Sequence, residues 1–388
     1  MSIFTVVSWV LAAATVGSIV YCGIALYGAV RFVQSRRRWA LEVVLTSFTP
    51  PLSLLKPLHG LERELEENLE SFCRQDYPTY EILFAVREQS DPALEIVRRL
   101  QDKFPTLPMR MLVVGPPQCL NAKVQSLEAM REAAAHEILV ITDSDVHVAP
   151  DYLRSVVAPL VRPEVGMVTS IYRGVPGRSL WSRMEALSMN AQFIPGVLSA
   201  WVLLGLEFSL GPTMAIRKQK VASLGGFLRL GDYLADDFLL GELVAQSGES
   251  VAMAGAVPDH LVINENLFAS LRHRLRWERS SRRSRPAGYV GQLFMHALPL
   301  AALAWAAAPA GSSWGEALVA ASLAVRWLLA WSVSWGVLRD RNFRRDWWLL
   351  PLQDLVSFAI WIWGFFGREI EWRGARFRVL RGGKLERV

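Results

Sequence analysis

Residues 3–30 carry no charged side chain. That run is longer than the roughly 20 residues a transmembrane helix needs. A cleavable signal peptide fits it poorly, because no basic residue precedes it and the apolar run is too long. Arg31, Arg36, Arg37 and Arg38 come next. By the positive-inside rule the N-terminus lies outside and the chain after Arg31 in the cytoplasm. A chain anchored in this way still needs a part that faces water, since 42 Lys+Arg and 36 Asp+Glu stand among its 388 residues. The 52% hydrophobic and 20% charged composition excludes a disordered protein and a pure membrane bundle alike. The net charge is +6, and the basic clusters adjoin apolar segments, so they read as membrane flanks rather than as a nucleic-acid surface. Ten of the 15 Trp lie between Trp305 and Trp372, which points to a C-terminal membrane region. Cys22, Cys73 and Cys119 show neither metal-ligand spacing nor an even disulfide set, as expected in a reducing compartment.

From about 50 to 265 the composition changes to that of a soluble α/β domain. Segments 52–58, 81–86, 111–114, 137–142 and 165–170 read as strands, rich in Val, Ile and Leu. Helical patterns lie between them at 62–74, 92–103, 123–135 and 151–161. This alternation implies an α/β fold with a mostly parallel sheet, which binds ligands at the carboxyl ends of its strands. Further apolar stretches at 287–308 and 317–338 read as spans. A third, 347–366, is interrupted by Pro351, Gln353 and Asp354. Segment 189–210 is also apolar, but it lies between two acidic motifs that should face one site. It reads as an interfacial or buried segment facing a lipid acceptor, or equally as ordinary core. The domain plan is therefore an anchor at 1–33, a catalytic domain at 50–286, membrane helices at 287–367 and a basic tail at 368–388. That tail holds seven Lys/Arg and three Glu. Four full crossings would put it outside, against its charge, unless 347–366 is re-entrant or interfacial.

Three motifs carry chemistry. In Ile141-Thr142-Asp143-Ser144-Asp145-Val146, two carboxylates two residues apart follow a strand. In extended chain they point to one side, and paired oxygen ligands suit Mg²⁺ or Mn²⁺ with a diphosphate. A polar turn is the plain alternative. In Leu234-Ala235-Asp236-Asp237-Phe238, adjacent acids precede a helical run. They either cap that helix or include a general base whose pKa a neighbouring charge raises. His273-Arg274-Leu275-Arg276-Trp277 lies in a stretch, 272–285, with seven Arg and one Glu. Most of these flank a span, but Arg276 and Trp277 offer a bidentate donor and a flat face to a diphosphate.

In this order and between membrane segments, the motifs resemble the lipid branch of inverting GT-A glycosyltransferases of family 2/21 type. Lys56-Pro57-Leu58-His59-Gly60, Asn68-Leu69-Glu70-Ser71-Phe72, Gln75-Asp76-Tyr77-Pro78, Ser90-Asp91-Pro92-Ala93, Asn121-Ala122-Lys123-Val124 and Trp372-Arg373-Gly374 are similar to the ceramide glucosyltransferase family and to the bacterial hopanoid-associated glycosyltransferases. The resemblance runs from about Lys56 to the C-terminus. It implies a GT-A catalytic domain and a UDP-sugar donor bound by Glu88, Asp91, Lys123, Asp143, Arg276 and Trp277. It further implies a metal, Mg²⁺ or Mn²⁺, on Asp143 and Asp145, and a catalytic base at Asp237 beside Asp236. Glu88 stands where the family usually has Asp, and His273 where it has Gln or Arg. The second acid, Asp145, favours a bacterial-type member in an inner membrane.

The resemblance implies a single displacement in which Asp237 takes the proton of a membrane lipid's hydroxyl, with ceramide or a hopanoid polyol as acceptor, the bilayer as partner and no nucleic acid. Two other readings compete. A processive polysaccharide synthase needs a channel built from several helices, for which three C-terminal stretches give little material. A non-catalytic membrane scaffold would tolerate loss of Asp143, Asp145 and Asp237. One charge remains inside an apolar stretch. Arg326 is about 12 residues, or ~18 Å, from the end of 317–338, and an unpaired charge at that depth costs at least ~2.5–3.5 kcal/mol. Asp354 is the only acid in the next stretch. An Arg326–Asp354 pair between helices is expected, as structural glue or as a clasp for the lipid head group.

Overall fold

The computed structural model describes residues 3–264, 266–309, 311–372 and 374–388. Arg373 of the terminal motif lies outside them. The strands are β1 (Leu52–Pro57), β2 (Tyr80–Val86), β3 (Met109–Val113), β4 (Ile138–Ile141), β5 (Val146–His147), β6 (Val165–Thr169), β7 (Arg173–Pro176), β8 (Met214–Arg217), β9 (Ser250–Met253) and β10 (Asp259–Val262). Their main sheet has the order β3-β2-β1-β4-β8-β6-β9. β1 to β4 pair in parallel, with Leu55 opposite both Leu83 and Ile141. Every residue of β2 and β4 is buried, as parallel strands covered on both faces require. β8 is antiparallel to both its neighbours. The parallel strands end together, so the loops after Pro57, Val86 and Ile141 meet at one edge. A second small sheet, β5-β10-β7, stands over that edge.

The sequence reading missed β8, β9 and β10. Each is four residues long, too short to show a period, and is held by pairing with distant segments.

The N-terminal helix runs from Ile3 to Thr46. Its 44 residues make it about 66 Å long at 1.5 Å per residue, so it outreaches a ~30 Å hydrocarbon core. Its far end docks on the domain, where Trp39 Nε1 donates to Met253 O at 3.0 Å. The expected straight span at 287–308 is instead two helices, Pro286–Met295 and Ala297–Ala306, bent by 68°. Pro299 explains the break. Its ring cannot sit under the carbonyl of residue 295, so the helix restarts just before it. The Trp314–Val337 helix is long and apolar enough to cross a membrane. Trp314 at its start stacks on Trp9, in the second turn of the N-terminal helix, at 5.1 Å.

Leu180–Leu204 also passes as a span by length and composition, yet it starts after β7 and returns to β8. Both strands belong to the α/β domain, so the chain leaves that domain and comes back to it across this helix. Segment 347–366 forms a helix over Leu350–Gly364, about 22 Å long for its 15 residues. Asp346 before it pairs with Arg183. After it, Arg279 and Arg282 donate to the carbonyls of Phe365, Phe366 and Gly367. Both ends are thus tied to helices that flank the α/β domain.

The tail folds into an antiparallel sheet of β11 (Glu369–Trp372), β12 (Ala375–Val379) and β13 (Leu385–Arg387). Its small core, Ile370, Phe377, Val379 and Leu385, packs on Leu120 and Leu234 of the catalytic domain. Leu385 N donates to Asp232 O at 2.7 Å.

Candidate functional site

Asp143 and Asp145 leave the end of β4, as the parallel edge dictates. Asp236 and Asp237 sit in the first turn of the Asp236–Gln246 helix, where the N-terminal dipole favours negative charge. Gly211 brings the two motifs together. A Cβ on Gly211 would lie 3.0 Å from Asp237 Oδ2 and 3.2 Å from Asp143 Oδ2. Only a residue without a side chain leaves these carboxylates on one small space.

Lys123 stands between them. Its Nζ donates to Asp143 Oδ1 at 2.6 Å and lies 3.8 Å from Asp236 Oδ2. Burial opposes its charge, but Asp143, Asp236 and Asp237 outweigh burial and raise its pKa. Asn121 fixes this arrangement from the start of the Ala122–Ala133 helix. Its Oδ1 accepts from Lys123 N at 3.1 Å, and its Nδ2 donates to Asp236 Oδ1 at 3.0 Å. With Asp236 held by Asn121 and Lys123, Asp237 is the acid left to act. Burial first, and then the charge of Asp236, push its pKa up to about 6. Such a carboxylate is a stronger base than a solvated one.

Lys56 and His260 were given no role by the sequence reading. The Lys56 ammonium is fully buried beneath the acidic loop. It donates to Thr142 Oγ1 at 2.8 Å and to Asp143 O at 2.6 Å, over the ring of Phe72. Burial lowers its pKa to about 7 against the pull of Asp143 and Asp145. A lysine ending an otherwise apolar strand was the available signal. His260 gives no comparable signal, because only the pairing of β10 with β5 sets it opposite Val146. Its Nδ1 lies 3.5 Å from Asp145 Oδ1. Burial would raise the Asp145 pKa, but His260 and Lys56 hold it below the usual range.

The fit to a divalent cation can be judged from these atoms. Asp145 Oδ1 and His260 Nδ1 are buried, face each other at 3.5 Å and make no hydrogen bond among the described residues, so both are open to a cation that displaces the imidazole proton. Carboxylate oxygens with an imidazole suit Mn²⁺, and the carboxylates suit Mg²⁺. Among the described residues no group of three or more His, Cys, Asp or Glu forms a full cage. A cation here would therefore take much of its shell from a diphosphate and water.

The other expected site residues spread further. Asp91 is a strut between loops. Its carboxylate accepts from Gly60 N at 3.0 Å and from Ala93 N at 2.9 Å. Glu88, exposed at the end of β2, is the acid left open there. Trp277 and Arg276 lie on the Leu267–Ser284 helix. Trp277 meets Phe193 at 5.9 Å; Phe193 meets Tyr172 at 5.8 Å, and Tyr172 meets His260 at 5.4 Å. A row of rings thus joins this helix to Asp145. His273 bonds Glu185 at 2.7 Å and so serves the scaffold. Most of the basic run is spent likewise, with Arg274 on Ser357 and Arg285 on Glu207.

Deeper in the helical part, Arg326 Nε and Nη2 donate to Asp354 at 2.8 and 2.7 Å, and Nη1 donates to Ala191 O at 3.1 Å. Both side chains are 3% exposed. Ala191 lies in a π turn, Met189–Phe193, inside the Leu180–Leu204 helix. Such turns leave carbonyls without their usual partners, and Arg326 takes up one of them.

Comparison with known proteins fixes the family. Residues 10–385 match the profile of "Glycosyl transferase family 21". The chain belongs to glycosyl transferase family 21. Similar proteins include ceramide glucosyltransferase 1 of Caenorhabditis elegans, 27% identical over 206 residues, which are 53% of this chain and 44% of that protein. The ceramide glucosyltransferase of Komagataella phaffii is 31% identical over 152 residues, 36% of this chain and 28% of the relative. This chain thus spans less than half the length of these curated relatives. Among solved structures, a mannosyltransferase from Pyrobaculum calidifontis in complex with GDP-Man and Mn²⁺ superposes with a TM-score of 0.52 at 20% identity, covering 91% of this chain and 99% of that one. The fold of this family 21 chain is GT-A.

Proposed function

We propose that this chain is an inverting lipid glycosyltransferase that moves a hexose or N-acetylhexosamine from a UDP-sugar to the hydroxyl of a membrane lipid, ceramide-type or hopanoid polyol. One observation carries the reading: the Asp237 carboxylate, its pKa pushed up to about 6, shares the space at Gly211 with Asp143 of the strand-end acidic pair. A base and a diphosphate-binding acid on one small space are what a single displacement needs. Asp237 takes the acceptor's proton as its oxygen attacks the anomeric carbon. Asp143 and Asp145, with His260, would hold Mg²⁺ or Mn²⁺, which supplies positive charge to the leaving diphosphate. Lys123 and Lys56 keep the acidic loop from repelling that diphosphate, and Arg276 adds a bidentate donor.

The bilayer supports a lipid acceptor. The N-terminal helix and the Trp314–Val337 helix are apolar enough to cross, and the row Trp277–Phe193–Tyr172 leads from the membrane-side π turn to Asp145. With Arg36, Arg37 and Arg38 at the domain end of the first helix, the catalytic side is cytoplasmic, in a bacterial inner membrane. The test is incubation of membranes carrying the protein with single UDP-sugars, followed by mass spectrometry of the lipid extract. A new glycolipid that depends on Asp237 supports the reading. Long polymer instead would make the chain a processive synthase, and no product with any UDP-sugar would defeat the reading.

A further inference from the structure

A cavity of about 380 Å³ lies beside the donor end of the site. Its walls come from two parts of the chain. Arg87, Leu120 and Asp232 line one side, and Trp372, Phe377 and Arg387 of the C-terminal sheet line the other. The catalytic-domain residues are chain neighbours of the site itself. Arg87 precedes Glu88, Leu120 precedes the Asn121–Lys123 turn, and Asp232 precedes Tyr233, whose carbonyl accepts from Asn121 Nδ2 at 3.0 Å. The tail is fastened at the same place, by the backbone pairing of Lys384 with Tyr233 and by Lys384 Nζ at 3.4 Å from Asp232.

The lining has a definite chemistry. The Asp232 carboxylate is already paired with Lys384. Among the described residues the guanidinium groups of Arg87 and Arg387 have no ion-pair partner. Two aromatic rings, Trp372 and Phe377, stand 6.1 Å apart on the tail side. Flat rings beside two unspent guanidinium groups suit a planar ligand edged with oxygen acceptors. A lipid tail would offer those donors no acceptor. The volume falls within the range of small-molecule sites.

We propose that this cavity receives the nucleoside end of the sugar nucleotide, and that the C-terminal sheet is its outer wall. Trp372 and Phe377 lie against the base, while Arg87 and Arg387 donate to its carbonyl oxygens. The tail is then part of donor selection, beyond its role as a membrane flank. The proposal rests on the sugar-nucleotide reading above, and the test separates the two.

The full chain, in detergent micelles with Mn²⁺, is titrated calorimetrically with UDP and separately with GDP. Trp372→Ala and Arg387→Gln are each expected to weaken UDP binding about ten-fold, the scale of one lost base–aromatic stack. They should raise the donor KM with kcat little changed, and narrow the preference for UDP over GDP. Trp372→Phe should recover most of the loss. An unchanged thermal midpoint in Arg387→Gln, at an exposed chain end, shows that the sheet is still docked. Unchanged nucleotide affinity in both variants overturns the wall, whichever nucleotide binds. A wild type that prefers GDP, weakened by the same variants, supports the wall and overturns the uridine donor. A wild type that binds neither overturns both.

Discussion

In the proposed reaction Asp237 is the base, and its environment predicts a pH profile. Its pKa in the folded protein, about 6, lies above the ordinary aspartate value. The base form that accepts a proton is therefore present above that value and is lost as pH falls through it. The acidic limb of kcat/KM should fall near pH 6 and vanish in Asp237→Asn. For stability the sign reverses: burial favours the protonated carboxyl, so this group's contribution is full at low pH and is lost as pH rises towards 6. Asp237→Asn should lower transfer by at least ~10²-fold while UDP still binds, and an active variant would move the base elsewhere. Asp145→Ala is expected to abolish metal-stimulated turnover without unfolding the chain. Equal activity with and without chelator in the wild type would end the metal assignment. The places of Asp143, Asp145, Asp236 and Asp237 at element ends were legible from order and context, because one pair follows a strand pattern and the other precedes a helical one. Lys56 and His260 were not, because a single Lys or His is a common residue until its neighbours across the sheet are known.

At the scale of elements, the Arg326–Asp354 pair links three helices. It joins Trp314–Val337 to Leu350–Gly364 and ties both to the π turn of Leu180–Leu204 through Ala191 O. That turn also carries Phe193, which meets Trp277. Removing one partner leaves a buried charge, at a cost of about 3–5 kcal/mol. Arg326→Ala should therefore lower the thermal midpoint and the activity together. The exchange Arg326→Asp with Asp354→Arg should recover part of both. A singly substituted enzyme with wild-type stability would show that the pair does not hold these helices. Arg274, Arg279 and Arg282 act at the same scale. They serve the Leu350–Gly364 helix, and the last two take up carbonyls at its C-terminal end, where cations are favoured. Composition marked them as a flank, but only the fold shows which carbonyls they meet.

Across the whole molecule, the contacts of the tail bear on topology. Leu385, Lys384 and the sheet core touch Asp232 and Leu234, just before Asp236 and Asp237. The tail is therefore packed on the α/β domain, and a cytoplasmic domain would suit its seven basic residues. A single cysteine placed at Arg381 should react with a membrane-impermeant reagent only from the cytoplasmic face. Labelling from outside alone would require the Leu350–Gly364 helix to cross the bilayer. The basic tail and the impure 347–366 stretch already pulled against four full crossings in the sequence. The contacts at both ends of that stretch, Asp346 with Arg183 and the carbonyls of 365–367 with Arg279 and Arg282, are those a re-entrant segment would make.

What the sequence determined by itself is what local pattern and composition carry. A charge-free run longer than a bilayer, the strand–helix alternation of a parallel sheet and the acidic pairs at element boundaries are each complete within a few dozen residues. The Arg326–Asp354 pair also came from arithmetic, since a deep charge needs a partner and one acid was in reach. The tertiary structure decided what depends on segments far apart. It set the short strands β8 to β10, His260 beside Asp145, and the C-terminal sheet over Arg87 and Leu120. The physical reason is common to all three. Each is fixed by contacts whose free energy exists only once distant parts of the chain have met, so no window of the sequence contains it.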